Sequence, residues 1–168
     1  SITDLSNQLI KNIPPGSKPI LGVMPFKDLR YDRTTPFSRI LNEDIKTIIA
    51  NAEDIKLKEI ITSDDQKPGE IAEANNLDYY VSGSYRMERI GLEVRSRLID
   101  ARTQNILSTA AIQIERKELN PDDLRLIDNM GDEFKSAQKK KSYREHLEKL
   151  VAAKPLNPSF DVKVWTDQ

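Results

Sequence analysis

The stretch that decides the fold is Asp78-Tyr79-Tyr80-Val81-Ser82-Gly83-Ser84-Tyr85-Arg86-Met87-Glu88-Arg89-Ile90-Gly91-Leu92-Glu93-Val94-Arg95-Ser96-Arg97-Leu98-Ile99-Asp100, continuing to Glu115. Tyr79, Val81, Tyr85 and Met87 alternate with Tyr80, Ser82, Ser84, Arg86 and Glu88, and Leu92, Val94 and Leu98 alternate with Glu93, Arg95 and Arg97. This two-residue period is that of half-buried strands, one face apolar and the other charged. Ala110, Ile112 and Ile114 against Thr109, Ala111, Gln113 and Glu115 continue the scheme. A tight turn is expected near Ile90-Gly91 and a looser one near Thr103-Gln104-Asn105, so the stretch predicts an antiparallel three-stranded meander.

Upstream of it the pattern changes. Ile2, Leu5 and Leu9 have helical spacing, and Pro14-Pro15-Gly16 stops that helix. Ile20-Leu21-Gly22-Val23-Met24-Pro25-Phe26 is a short, nearly unbroken apolar run, as expected of a central strand buried on both faces, with Pro25 at its end. Thr35 is the expected N-cap, and Pro36 the first residue, of a helix in which Phe37, Ile40, Leu41, Ile45, Ile48, Ile49 and Ala52 form one stripe. A strand over Asp54–Ile61, with Ile55, Leu57 and Ile60 inward, would complete a parallel crossover. Pro68 opens a short helix that Asn75-Asn76 ends. Downstream, Asn120-Pro121-Asp122-Asp123 opens a helical stripe through Leu124, Ile127, Phe134, Ala137, Tyr143, Leu147, Leu150 and Val151, with Gly131 a point where it breaks. Phe160 to Trp165 alternates as a new strand beyond a Pro155/Pro158 linker.

The expected fold class is therefore α/β: a mixed sheet with an antiparallel C-terminal meander and helices packed on it. Residues 1–153 are read as one domain, with a core at 18–117 and a helical segment at 121–153. Residues 154–168 are read as a linker and the start of a truncated following domain.

Composition narrows the chemistry. With 26 basic and 27 acidic residues the formal charge is -1, which gives no long-range attraction to nucleic acid or an anionic membrane. The absence of cysteine excludes disulfides, thiolate metal sites and cysteine nucleophiles. No apolar run approaches the roughly 20 residues of a membrane-spanning helix. The chain opens on Ser1, which is expected of a processed or excised sequence and leaves room upstream for a signal peptide or lipid anchor.

The individual candidates for chemistry are thin. His146 is the sole histidine, too few for a multi-histidine metal site. Lys139-Lys140-Lys141 with Arg144 is offset by Asp132, Glu133, Glu145 and Glu148 and is read as a solvated helix face. Pro14-Pro15-Gly16-Ser17-Lys18 lacks the spacing of a phosphate loop and is read as a turn. Asp64-Asp65 and Asp122-Asp123 lack the spaced oxygen ligands of a calcium loop. No catalytic residue, metal site or cofactor is expected. The polar sheet face is the remaining candidate: Arg86, Arg95 and Arg97, with Glu88, Glu93 and Glu115 as cross-strand partners and Tyr80 and Ile99 as apolar anchors, for a protein partner or a downstream domain.

The order of these pieces carries a family resemblance. Val23-Met24-Pro25-Phe26, the helix after it, Leu77-Asp78-Tyr79-Tyr80-Val81-Ser82-Gly83-Ser84 and Arg97-Leu98-Ile99-Asp100-Ala101-Arg102-Thr103 resemble the CsgG/FlgO-like envelope domain, related in shape to the N-terminal domain of TolB. The resemblance covers roughly Ser1 to Lys117. Val164-Trp165-Thr166-Asp167 is similar to the opening of a domain of unknown function that often follows such modules. The resemblance implies a non-enzymatic module of the Gram-negative periplasm or outer membrane, usually on lipoproteins that serve surface-fibre secretion, flagellar assembly or peptidoglycan-synthase activation. The sequence departs from the pore-forming curli exporter, whose long membrane hairpins are replaced by short turns such as Arg89-Ile90-Gly91, and it has Gln104 where the family commonly has glycine. A scaffold or adaptor binding envelope proteins is the leading expectation. A regulatory or ligand-binding domain of a larger protein, or an enzyme with dispersed site residues, are the alternatives.

Overall fold

The computed structural model describes residues 1–62 and 65–153, with backbone alone at 129–139, 152 and 153. Two compact units divide the chain, Ser1–Ile127 and Asp128–Gln168. The first contains the sheet. Its elements run α1 (Ile2–Ile10), β1 (Ile20–Val23), β2 (Lys27–Asp28), α2 (Pro36–Ala50), β3 (Lys56–Leu57), α3 (Pro68–Ala74), β4 (Tyr79–Met87), β5 (Gly91–Asp100) and β6 (Ile106–Glu115), followed by a single 3-10 turn and α4 (Pro121–Ala153). The six strands form one mixed sheet in the order β3-β1-β4-β5-β6, with β2 beside β4. β1 is parallel to both of its neighbours, and β4, β5 and β6 are the antiparallel meander.

β1 sits between two strands and is covered on both faces, as its apolar run requires. Leu21 and Val23 join the larger core with Leu5 and Leu9 of α1, Phe37, Leu41, Ile45 and Ile49 of α2, and Ile127 of α4. Ile20 and Met24 face the opposite way, toward Ile71 and Ala72 of α3 and Leu77. Gly22 makes the second contact possible, since a Cβ there would lie 2.6 Å from a Leu77 methyl carbon.

Pro25 ends the strand, and the chain has to satisfy the backbone around it inside the core. Met24 N–H still donates to Val81 O (2.8 Å), but the Met24 carbonyl and the Phe26 N–H lie past the regular ladder. Asn42, buried on α2, supplies both partners: its Nδ2 donates to Met24 O (3.0 Å) and its Oδ1 accepts from Phe26 N (3.1 Å). Phe26 is thereby held over β4, where Gly83 makes room; a Cβ at Gly83 would stand 2.4 Å from the phenyl ring. α2 starts where expected, with Thr35 and Ser38 forming a reciprocal capping box and Pro36 at the first helical position. The capping hydroxyl of Thr35 also bonds the buried Tyr85 hydroxyl, and the Tyr85 ring meets Phe37 edge-on at 5.0 Å.

The strand expected over Asp54–Ile61 is only two residues long. Ile55 and Leu57 point to the larger core, but Ile60 packs on the α3 side and Ile61 is 92% exposed. β1 itself stops after Val23, so a longer β3 would have little to pair with. The helix from Pro121 runs through Gly131 without a break, and its apolar positions divide. Leu124 and Ile127 pack on the core, whereas Tyr143, Leu147, Leu150 and Val151 are exposed. The linker and the alternating Phe160–Trp165 segment, including Val164-Trp165-Thr166-Asp167, lie outside the described residues.

Two substitutions test this account of the core. Asn42→Ala leaves two buried backbone groups without partners, and urea unfolding should show a loss of about 2 to 4 kcal/mol. Ser96 lies on the core face of β5 with a buried hydroxyl that has no hydrogen-bond partner among the described residues. Ser96→Ala removes that desolvated group and should leave stability unchanged or raise it by about 1 kcal/mol; a clear loss would show the hydroxyl to be bonded.

Candidate functional site: the open face of the meander

The meander has one face packed on α1 and α2 and another that, among the described residues, α3 covers at one end only. Register fixes what the uncovered part displays. Ser82 lies opposite Arg97, which lies opposite Thr109; Ser84, Arg95 and Ala111 make the next row, and Arg86, Glu93 and Gln113 the third. Lys27 of β2 pairs with Ser84 and extends the second row. Small side chains thus floor the surface and long charged ones stand above it.

The charges are unevenly matched. Arg86 contacts Glu88 at 2.5 Å and Glu93 at 3.7 Å, while Arg95 contacts the same Glu93 at 2.5 Å. Two guanidinium groups therefore share Glu93, while Glu115, the third carboxylate of the face, pairs with Lys117 at 3.0 Å. Arg97 is exposed and makes no ion pair or side-chain hydrogen bond among the described residues. Lys27 reaches only the outer limit of a contact with Asp32, 4.0 Å. The row of Ser82, Arg97 and Thr109 and the row of Lys27, Ser84, Arg95 and Ala111 contain basic side chains and no acidic one, although with Glu88, Glu93 and Glu115 the face as a whole is close to balanced.

Tyr80 and Ile99 share this side of the sheet but lie beneath α3. Tyr80 is 3% exposed and Ile99 half-buried, both packed with Ile71, Ala72 and Leu77. The sequence places both residues on the polar face by alternation, and that much holds; the expectation that they stand exposed there is corrected by α3, which covers their end of the sheet. Burial raises the Tyr80 pKa, keeping the phenol a neutral donor, and its hydroxyl donates to Gln104 Oε1 at 2.6 Å. Gln104 holds a left-handed backbone, φ 62°, and is braced further by a bond from its Nε2 to Ala101 O. An open groove of about 800 Å³ runs along this end, with Lys67, Glu73, Ser82, Ile99 and Arg102 among its walls.

The other sequence candidates are dispersed. His146, Lys140 and Lys141 are exposed on α4. Ser17 closes a turn by donating to Pro14 O, and Gly16 sits at φ 76° as that turn requires. Asp122 lies in the first turn of α4 and pairs with Arg125 at 2.6 Å. Among the described residues no group of three or more His, Cys, Asp or Glu side chains is placed to hold a metal, and no helix is long and apolar enough to cross a membrane. Sequence reading missed Lys27, because a two-residue strand has no periodicity to detect, and it missed Lys67 and Arg102, which reach the groove from separate loops.

The profile described as FlgO protein matches residues 3–119. The chain belongs to the FlgO protein family. The match spans the whole sheet and the helices α1 to α3, and ends before α4. No curated protein matches the sequence. Among solved structures, the LpoB C-terminal domain from Salmonella enterica is similar at 12% identity and a TM-score of 0.57, covering 69% of this chain and 96% of that one. The LpoB C-terminal domain from Escherichia coli gives 12% identity and a TM-score of 0.53, covering 68% and 96%. TolB from Acinetobacter baumannii gives 17% identity and a TM-score of 0.41, covering 60% of this chain and 24% of that one. At these identities the LpoB domains share the fold of the FlgO-family domain.

The cross-strand partners expected from the sequence reduce to one among the described residues: Arg95–Glu93 and Arg86–Glu88 are pairs two residues apart along the chain, and Arg86–Glu93 alone crosses from β4 to β5. Exposed ion pairs of either kind contribute no more than about 1 kcal/mol each. The double substitution Arg95→Ala with Arg97→Ala should therefore fold as the parent does, with a urea midpoint lowered only slightly. A loss above about 3 kcal/mol would mean that the arginines are structural.

Proposed function

We propose that this FlgO-family domain is a non-catalytic protein-interaction module of a Gram-negative cell-envelope protein, acting as a scaffold or adaptor in envelope or surface-structure assembly. The observation that carries the reading is the open face of the meander, where Arg97 has no ion-pair partner among the described residues and Arg86 and Arg95 share Glu93 above a floor of small side chains. Exposed arginine on a rigid sheet is the residue type that dominates protein interfaces, because the guanidinium is weakly hydrated and offers several fixed donors. The family assignment and the likeness to domains of LpoB support a periplasmic or outer-membrane setting, with the partner an envelope protein or a further domain of the same chain. Tyr80 and Ile99 contribute as the apolar floor beneath α3, at the border of the face, with the exposed contact made by Arg86, Arg95 and Arg97.

Site-specific photocrosslinking in the native cell tests the reading. A photoreactive residue at Gln113, on the face, should give a discrete adduct that Arg95→Ala with Arg97→Ala suppresses, whereas the same residue at Arg39 on α2 should give none. Equal adducts at both positions, or an adduct at Gln113 indifferent to the double substitution, would return the face to a solvated surface.

A further inference from the structure

The free edge of the sheet lies beside this face. β6 ends the strand order, and the direction of its backbone groups follows from the ladder. Arg116 N–H donates to Ile90 O, so in the β5–β6 register the bonded pairs are Leu92 with Ile114, Val94 with Ile112 and Ser96 with Ala110. Thr109, Ala111 and Gln113 therefore turn their N–H and C=O groups outward, and among the described residues nothing bonds to them. At one end of the strand the edge is closed: Leu107 falls at the register shift, and its carbonyl accepts from Asn12 Nδ2 at 3.3 Å. From Thr109 onward it is open.

Exposed edges are normally blunted by proline, lysine, bulges or a covering element. β6 has no proline or lysine, and its one charge, Glu115, stands at the far end. Ile112 and Ile114 on the core side are only half-buried, which leaves apolar surface for an added strand to cover. On the open side Thr109 and Ala111 stand between the edge and, respectively, Arg97 and Arg95. A residue added opposite either one would be two strand spacings, about 10 Å, from the arginine backbone. Arginine and glutamate side chains together span that distance, and neither the threonine nor the alanine is long enough to block it. Opposite Gln113 the row contains Glu93, which disfavours a third acidic residue.

We propose that β6 accepts an extended segment of a partner protein by strand addition, and that this segment alternates acidic residues opposite Thr109 and Ala111 with apolar residues opposite Ala110 and Ile112. The inference rests on the reading of the open face as a protein-binding surface and specifies the partner. A second copy of this chain fits less well: β6 pairing with itself about Ala111 would set Gln113 and Ala111 against Thr109 and Ala111, leaving Arg97 without a counter-charge and Arg95 with only the Glu93 it shares with Arg86.

The test uses a short capped peptide of alternating valine and glutamate, with a lysine-for-glutamate peptide as control, and reads amide shifts and hydrogen exchange by NMR. The valine–glutamate peptide should shift the Thr109, Ala111 and Gln113 amides and slow their exchange about tenfold or more, and the lysine peptide should not. Ala111→Pro should abolish the effect, because it removes an outward donor while leaving the internal ladder intact, as edge strands tolerate. Arg97→Glu should reverse the preference between the peptides, a readout that holds even if the proline variant fails to fold. Absence of shifts at millimolar peptide overturns the proposal. So does binding that Ala111→Pro leaves intact, or concentration-dependent protection of these amides without peptide, which would assign the edge to a second copy. An Arg95- and Arg97-dependent crosslink at Gln113 that persists in Ala111→Pro would overturn strand addition and leave the protein-binding reading standing.

Discussion

The structure depends on how one buried asparagine resolves a proline break. Pro25 has no N–H and ends the central strand, yet the residues on either side of it must stay in the core to carry Phe26 onto β4. Asn42 meets that demand because a carboxamide can donate and accept at once, which neither serine nor aspartate does in the same geometry. The consequence reaches beyond two hydrogen bonds. α2 is pinned at a fixed height over β1, so Thr35 at its start meets the Tyr85 hydroxyl and Phe37 meets the Tyr85 ring. β2 is directed along β4, where Asp28 is buried and binds Arg30 through both carboxylate oxygens. Hydrogen bonding to Asp28 raises the Arg30 pKa above its ordinary value, and Arg30 in turn donates to Ile127 O at 3.4 Å, tying the start of α4 to the same loop.

That arrangement makes the two faces of the sheet unequal. α1, α2 and the first turns of α4 cover one face except at the edge strand, where Ile112 and Ile114 stay half-buried, whereas among the described residues the other has only α3, a helix of seven residues, at its β1 end. The meander strands run to nine and ten residues, so their far halves extend past any cover α3 can provide. An antiparallel sheet tolerates this because one solvated face costs it little. The open face is thus a result of length mismatch between a short helix and long strands, and the arginines stand where the helix ends.

Much of this was legible in the sequence, and the limits are physical. Strict alternation located β4, β5 and β6 and assigned the polar-face residues of these three strands to their side, because a strand has a period of two whatever lies above it. Alternation gives the side, not the cover: Tyr80 and Arg86 are equivalent by parity, and only the position of α3 makes one buried and the other exposed. The α2 stripe was visible in its apolar members, but Asn42, one turn beyond Ser38 on the buried side, has the residue type of a solvated position, and its role follows only from its approach in space to Met24, eighteen residues earlier in the chain. β3 was read too long because an apolar segment shows that residues are buried, not that a neighbouring strand is long enough to pair with them.

The charge distribution limits what kind of recognition such a surface performs. A chain of net charge -1 exerts little pull at distance, and at physiological ionic strength the field of a few arginines decays over about 8 Å. Under the proposed binding role the open face would therefore select at contact and not by steering. Selection at contact needs fixed geometry, and the meander supplies it: Arg86, Arg95 and Arg97 rise from paired strands whose register cannot slip by one residue without turning Leu92, Val94 and Leu98 out of the core. The burial that stabilises one face of the sheet thus holds the guanidinium groups on the other in a constant pattern, which is what a protein partner would read.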